Sequence, residues 1–310
     1  MGDQQVLAMI KRAIDTSDTA IQPEDLENLI SMVTPLDTPL FRMLQRIPVT
    51  ATLHEWVEST LTATLSSSVY ADGSVPSANT ETHTRKNNKV MCVGRVAKAS
   101  NLLRAVKTIG EFTDAFALEV QEKMQDLIRC IEYWILNGDI ANTSPQEMDG
   151  LLNVVATTTV ANGSVVISEA KLQELIKKCY EAGGVPDTIV ATPAVALAIA
   201  NFSSGRIRYN YDDGSAMEDG PVPGIKLKKY QNPFGPAMVI VPERSSFFAS
   251  GNVLVLCSKE IALGSVLSPV IQMFDLANTT DSFSRLLRAY ITLVVRNETH
   301  HGLLTGVNDE

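Results

Sequence analysis

The sequence predicts an α+β fold built around one long helix. Between Phe112 and Ile135, apolar residues recur at a period near 3.6, which is typical of a helix with one buried face. Between Leu287 and Val295, every second residue is apolar, which indicates a long strand with a buried face. The chain has 310 residues, of which 45% are hydrophobic and 20% charged, so it can bury a sizeable core.

The first part of the chain is predicted to be extended. Residues 1–50 are expected to form an N-terminal arm, because the stretch Thr34–Phe41 is apolar but its prolines disfavour a helix. Residues 51–107 are expected to form an extended loop, in which two strands flank a polar tip. A two-stranded ribbon is marginally stable alone in water, so we expect it to rest on another subunit.

The remaining segments are predicted to be more compact. Residues 108–149 contain the long helix, which Gly138 is expected to end. Residues 150–265 are expected to form an α/β region, with a helix that starts after Ser168 and ends before Gly183. Residues 266–310 are expected to supply long strands and the C-terminus.

The sequence offers no pattern that predicts catalysis. It contains no motif for nucleophilic catalysis, phosphate binding, dinucleotide binding or zinc hydrolysis. His300–His301 is better explained as part of a loose chain end, and the acidic residues from Asp212 to Asp219 as a solvated loop, than as metal ligands. The scattered cysteines favour buried thiols over a disulfide or zinc framework. We therefore expect no enzyme activity, no cofactor and no metal.

Charge is distributed unevenly along the chain. Seven basic residues lie between Arg85 and Lys107 with no acid among them, whereas the long helix region is acidic. Three interpretations are open: nucleic-acid contact by the basic segment, an ordinary solvated face, or contact between the basic segment and the acidic helix of a neighbouring copy. We favour the third, slightly, which predicts that raising the salt concentration weakens assembly.

The bulk charge and hydropathy exclude other classes of protein. The formal net charge of −9 argues against a surface that binds nucleic acid everywhere. The longest apolar run, Ala194–Ala200, is much shorter than a membrane span, so we expect no membrane partner. The sequence also shows no secretory start, which predicts a protein that stays in the cytoplasm where it is made.

A set of short motifs occurs in a characteristic order: Thr38–Phe41, Glu55-Trp56, the helix end Ile131–Gly138, Met148–Leu151, Gly183–Pro186 and Val190–Pro193. This ordered set resembles the major capsid proteins of tailed bacteriophages with the Hong Kong 97-like fold. The resemblance covers nearly the whole chain. It implies an N-terminal arm, an extended β-hairpin loop, a long spine helix, and peripheral and axial domains.

On this resemblance, residues 108–149 hold the spine helix and the start of the peripheral domain, 150–265 the axial domain, and 266–310 peripheral strands. The resemblance implies pentamers and hexamers of an icosahedral shell around double-stranded DNA, in a virion assembled in the host cytoplasm. Scaffolding, portal and decoration proteins are the further partners that it implies, with weak, non-specific proximity to packaged DNA. The alternatives are a cellular nanocompartment shell and, less favoured, a soluble α+β hydrolase.

Residues of the arm, the loop and the spine helix are the candidates for contact between subunits. These candidates come from the helix-disfavouring arm, the strand with the Glu-Trp motif, the basic segment and the acidic helix. The candidates are Pro39, Phe41, Trp56, Arg85, Lys86, Lys89, Arg95, Lys98, Glu119, Glu122 and Asp126.

Overall fold

The computed structural model describes residues 37–61, 69–75, 80–105, 115–202, 229–277 and 280–308, and it has a mixed α+β architecture. The acidic residues from Asp212 to Asp219 lie outside the described residues, as does most of the expected arm. The described helices are α1 (Pro39–Met43), α2 (Asn101–Ala105), α3 (Ala115–Asn137), α4 (Leu151–Val154), α5 (Glu169–Glu181) and α6 (Pro193–Asn201), with 3-10 turns at Ser258–Glu260 and Glu298–His300.

The described strands form three sheets. They are β1 (Gln45–Pro48), β2 (Leu53–Thr60), β3 (Thr82–Lys89), β4 (Met91–Ser100), β5 (Thr159–Val165), β6 (Thr188–Ala191), β7 (Lys229–Tyr230), β8 (Met238–Pro242), β9 (Asn252–Leu256), β10 (Ile261–Ser265), β11 (Ile271–Asp275), β12 (Ser282–Val295) and β13 (Gly302–Val307).

The first sheet has five strands, in the order β1-β10-β12-β11, with β4 paired to β12. The 14-residue strand β12 is its longest member. Its predicted apolar face is confirmed, because Leu287, Ala289, Ile291 and Leu293 are fully buried. Thr292 was expected on a polar face but is also fully buried, since this end of β12 is covered on both sides.

Helix α3, which we call the spine helix, packs against the first sheet. Leu127, Ile131 and Ile135 are fully buried and share one hydrophobic cluster with the inward residues of β12. The described helix has 23 residues, so it is about 34 Å long. None of the described helices is both long and apolar enough to cross a membrane.

The end of the spine helix is fixed by a close backbone approach. The predicted end at Gly138 is confirmed, with the Gly138 N–H donating to the Trp134 carbonyl at 3.2 Å. A Cβ at Gly138 would lie 2.2 Å from the Met148 carbonyl oxygen, so only glycine fits there. The chain then returns beside the helix, where the Gly150 N–H donates to the Gly138 carbonyl at 3.0 Å.

The second sheet has six strands, in the order β5-β13-β9-β6-β8-β7. Helix α5 packs on it through Leu172, Leu175, Ile176 and Cys179, all fully buried. The Ser168 side chain accepts a hydrogen bond from the Lys171 N–H, which confirms the predicted start of this helix.

The strand pairing differs from the expected segment boundaries. Strand β10 was expected in the compact region 150–265, and β4 in the extended loop 51–107, but both pair with β12 in the first sheet. Strand β13 was expected among the peripheral strands of 266–310, but it lies between β5 and β9 in the second sheet. Long-range pairing decides which sheet a strand joins, and the local pattern carries no signal for it.

The described end of the arm folds onto its own chain, and one expectation about it was wrong. Pro39 does not prevent a helix but begins one, because proline is tolerated at the first helical position, where its missing N–H is not needed. Phe41 was a candidate for contact with another subunit, but it is only 8% exposed and belongs to the same core as the spine helix. Pro39 is half-buried beside it.

Candidate inter-subunit surface

Strands β2 and β3 form a ribbon that belongs to neither large sheet. They pair only with each other among the described residues, from Leu53 opposite Lys89 to Thr60 opposite Thr82. The ribbon therefore confirms the two-stranded hairpin expected in this part of the chain. Since an isolated ribbon buries little, it depends on its base and on whatever covers its faces.

The alternation of the strands gives the ribbon two different faces. The face with Trp56 and Lys86, which lie opposite each other, is half-buried against the body of the same chain. The other face carries Val57, which is 62% exposed, opposite Arg85. We call this second face the outer face; its further members are Leu53, Glu55, Ser59, His83, Asn87 and Lys89.

The outer face combines apolar and charged groups. Leu53 is 40% exposed, and Leu61, just beyond the end of β2 on the same alternation, is 81% exposed. The Arg85 guanidinium lies 3.3 Å from the Glu55 carboxylate, and the Arg85 side chain remains 69% exposed. Sequence reasoning identified Arg85 but missed Leu53 and Val57. Leu53 and Val57 are four residues apart and alternate with Trp56 along the strand, so their positions alone predict that both lie on the face opposite Trp56.

The base of the ribbon is held by one buried amide side chain. Asn88 is 2% exposed; its Nδ2 donates to the Leu293 carbonyl at 2.7 Å and the Asp149 carbonyl at 3.1 Å, and its Oδ1 accepts from the Asp149 N–H at 2.8 Å. Lys89, a predicted contact residue, instead donates from Nζ to the Ile140 carbonyl of the same chain at 3.0 Å. The direction of the ribbon is therefore fixed by its own chain.

A cleft opens between the base of the ribbon and the first sheet. Trp56, Lys86, Asp149 and Glu298 are among the residues that line it. The Lys86 Nζ lies 3.9 Å from a Glu298 carboxylate oxygen across this cleft. Burial raises the pKa of Asp149, and the Trp56 indole N–H is buried without an acceptor among the described residues. Trp56 and Lys86 thus contact their own chain.

Arg95 of the basic segment pairs with the acidic helix of its own chain, whereas the sequence predicted such pairing between neighbouring copies. The Arg95 Nε donates to Asp126 Oδ2 at 2.6 Å, and its Nη2 donates to Cys130 Sγ at 2.9 Å. The hydrogen bond with Asp126 raises the pKa of Arg95. Arg95 and Asp126 therefore already pair within the chain, because β4 lies directly beside the spine helix, and their contact with another subunit stays a prediction.

The other charged candidates are dispersed. Lys98 is exposed on the face of β4 that points away from the spine helix. Glu119 pairs with Lys123 one helical turn away at 3.4 Å, and Glu122 is half-buried. Among these candidates, the structure therefore brings Trp56, Arg85, Lys86 and Lys89 together on the ribbon, and it pairs Arg95 with Asp126 at the spine helix.

The part of the chain that the structure describes offers no cluster of metal ligands at this surface. The described residues contain no group of three or more His, Cys, Asp or Glu placed to hold a metal ion. The pair His300–His301 was expected in a loose chain end, but His301 is fully buried, and its Nδ1 accepts a hydrogen bond from the Cys257 N–H at 3.1 Å. His300 instead contacts Glu260, at 2.8 Å. Both histidines contribute to the junction of the two sheets.

Comparison with known proteins agrees with this architecture. The model of the SU10 major capsid protein family matches residues 13–308. The solved capsid asymmetric unit of cyanophage A-1(L) is 9% identical, with a TM-score of 0.70 over 94% of this chain and 98% of that chain. A structure of Mycobacterium phage Cain is 16% identical, with a TM-score of 0.60 over 93% and 96%.

The fold also occurs in an encapsulin complex. The holo-SrpI encapsulin complex from Synechococcus elongatus PCC 7942 is 14% identical, with a TM-score of 0.63 over 95% of this chain and 96% of that chain. At such low identities these likenesses concern the fold, and they confirm the expected Hong Kong 97-like architecture. No curated protein matches the sequence.

Proposed function

Because the chain belongs to the SU10 major capsid protein family and is thus a capsid shell protein, we propose that its copies form the pentamers and hexamers of an icosahedral shell around double-stranded phage DNA. The outer face of the ribbon is the observation that carries this proposal. Its exposed Leu53 and Val57 stand on a two-stranded element that cannot cover them itself. A neighbouring copy would supply the missing cover and bury both side chains.

The outer face suits a contact that both holds and orients subunits. Burial of Val57 and Leu61 would supply apolar contact area, and Arg85 with Glu55 would supply a charged rim. Among the candidate residues, we propose that Arg85 and Lys98 contact neighbouring copies directly. Trp56 and Lys86 support the ribbon from its inner face.

The further partners remain proposals that follow from the family. We propose that scaffolding and portal proteins take part in assembly, that a decoration protein binds the finished shell, and that the protein assembles in the host cytoplasm and resides in the virion. The net charge of −9 suits a shell that encloses a polyanion without gripping it. We propose a structural, non-enzymatic role.

A substitution on the outer face tests the proposal. Val57→Asp places a carboxylate where we expect apolar contact, so closed particles should be lost in electron microscopy and sedimentation. The free energy of unfolding of the unassembled chain should change by no more than about 0.5 kcal/mol, because Val57 is 62% exposed.

Val57→Thr is the matched control, because threonine keeps the β-branched shape at the same position. We expect this variant to assemble. The proposal fails if Val57→Asp forms closed particles in wild-type yield, or if wild-type protein stays monomeric under all assembly conditions.

A cellular nanocompartment shell is the second candidate, favoured by the likeness to the encapsulin complex. The contents of purified particles distinguish the two. Nuclease-protected double-stranded DNA would support the phage shell, whereas one stoichiometric cargo protein without DNA would support the nanocompartment.

A further inference from the structure

A pair of buried carboxyl groups lies where the arm meets the spine helix. Glu132, on the spine helix, is fully buried, and Glu243, directly after β8, is 1% exposed. Ionised carboxyl groups are rarely buried without a cationic partner, because their transfer out of water is costly. Two acidic residues at one buried position therefore need a specific explanation.

Glu132 holds the arm through two backbone hydrogen bonds. Its Oε1 accepts from the Leu40 N–H at 2.8 Å, and its Oε2 accepts from the Phe41 N–H at 2.7 Å. These N–H groups belong to the first turn of α1, whose own N-cap residue, Thr38, makes no side-chain capping bond. Glu132 thus caps α1 from another helix, and an ionised carboxylate is the form best suited to accept both bonds.

Glu243 lies close enough to Glu132 for the two carboxyl groups to interact. Its Oε2 is buried and accepts no hydrogen bond from the described residues. Two adjacent buried carboxyl groups are stable side by side only if one of them carries a proton, which can then lie between them. Glu132 already accepts two N–H groups, so the proton belongs to Glu243. Burial, followed by the neighbouring Glu132 charge, raises the pKa of Glu243 to about 8.

Two arginines, Arg42 and Arg244, act electrostatically on the pair. Arg42 of α1 favours the ionised form of Glu132, and Arg244 favours the ionised form of Glu243, but burial is the larger influence on both groups. Arg244 also pairs with Asp37 at 3.4 Å. Arg46 of β1 lies over the Phe41 ring, and Arg129 of the spine helix over the Phe247 ring.

We propose that Glu132 and Glu243 share one proton and form a lock that holds residues 37–44 against the spine helix, and that loss of this proton releases the segment. With both groups ionised, the repulsion would be relieved by moving Glu132 away from Glu243, which would break its hydrogen bonds to the Leu40 and Phe41 N–H groups. Residues 37–44 would then be free to leave the core. The lock is a property of the single chain, so it holds or fails independently of the proposed shell.

Hydrogen exchange of the full chain tests the lock. The protection factor of the Leu40 and Phe41 amides is measured by mass spectrometry from pH 6 to 9.5, with the intrinsic exchange rate divided out. In wild-type protein we expect protection to fall at least about tenfold over this range. The helix Glu169–Glu181 serves as the internal reference and should keep its protection.

Glu243→Gln should remove the pH dependence, because the amide remains a hydrogen-bond donor to Glu132 without titrating. Glu122→Gln, a half-buried position on the same helix, is the matched control and should behave as wild type. The lock is refuted if wild-type protection of residues 37–44 does not fall with pH, or if Glu243→Gln falls in parallel with wild type. If Glu243→Gln does not fold, the wild-type comparison of residues 37–44 with the reference helix decides the question alone.

Discussion

At the scale of single residues, the polar side chains that are fully buried carry specific structural tasks. His301 links two connecting segments, one between β12 and β13 and the other between β9 and β10, because its Nδ1 accepts the Cys257 N–H. This bond requires a neutral imidazole with its proton on Nε2. Burial, followed by repulsion from His300, lowers the pKa of His301 to about 4. A protonated ring would also carry a proton on Nδ1, so this N–H and the Cys257 N–H would be two donors that face each other.

The buried His301 predicts a loss of stability in acid. Its pKa in the folded chain is lower than in the unfolded chain, so the unfolded chain binds more protons as the pH falls. The contribution of His301 to stability should therefore be constant above about pH 6.5 and fall by about 2–3 kcal/mol as the pH approaches 4. Glu243, whose pKa is raised to about 8, changes stability in the opposite direction over this range, so the contribution of His301 is measured as the difference between wild type and His301→Asn in urea unfolding at pH 7 and pH 4.5.

His301→Asn keeps an acceptor for the Cys257 N–H but does not titrate, so its acid-induced loss should be smaller than that of the wild type. His83→Asn, on the exposed ribbon, is the matched control and should keep the wild-type profile. Equal acid sensitivity of His301→Asn and wild type would show that another group is responsible.

At the scale of elements, the ribbon depends on its base more than on its own strands. Its outer face is exposed, and Asn88 connects the ribbon to both β12 and the loop before α4. Removing a buried amide that makes three hydrogen bonds leaves buried backbone groups without partners. That loss is costly, whereas loss of an exposed amide is not.

Asn88→Ala should therefore lower the free energy of unfolding by about 2–4 kcal/mol. Asn87→Ala changes the adjacent amide on the exposed outer face and should cost no more than about 0.5 kcal/mol. Urea unfolding of the two unassembled variants is the measurement. Similar costs for both would mean that Asn88 does not hold the ribbon.

At the scale of the whole molecule, charge serves two separate purposes. Arg95 pairs with Asp126 inside the chain, whereas Arg85 lies 69% exposed on the outer face of the ribbon. Two basic residues of one sequence segment thus have different roles: Arg95 packs within the chain, and Arg85 lies on a surface open to other copies. Salt should therefore weaken assembly through Arg85 and not through Arg95.

Charge reversal at the two arginines separates these purposes. Arg85→Glu should reduce particle yield in sedimentation and leave the stability of the unassembled chain nearly unchanged. Arg95→Glu should lower the free energy of unfolding by about 1 kcal/mol, because it places a like charge beside Asp126. Normal assembly by Arg85→Glu, or wild-type stability of Arg95→Glu, would contradict this division.

The sequence by itself determined the elements whose causes are local. The period of the spine helix, its end at Gly138, the Ser168 cap of α5 and the alternating face of β12 each follow from residues close together in the chain. The order of motifs from Thr38 to Pro193 also sufficed to predict the capsid family. The presence of a ribbon followed from composition in the same way.

Only the tertiary structure decided which partners these elements take. It placed β13 in the second sheet and β10 in the first, turned Val57 outward and Trp56 inward, and brought Glu132 to the first turn of α1. Glu132 follows Ile131 on the apolar side of the spine helix, but nothing near it in sequence identifies the arm or Glu243 as its partner. Such contacts join residues far apart in the chain, and their stability comes from burial and pairing that no local pattern specifies.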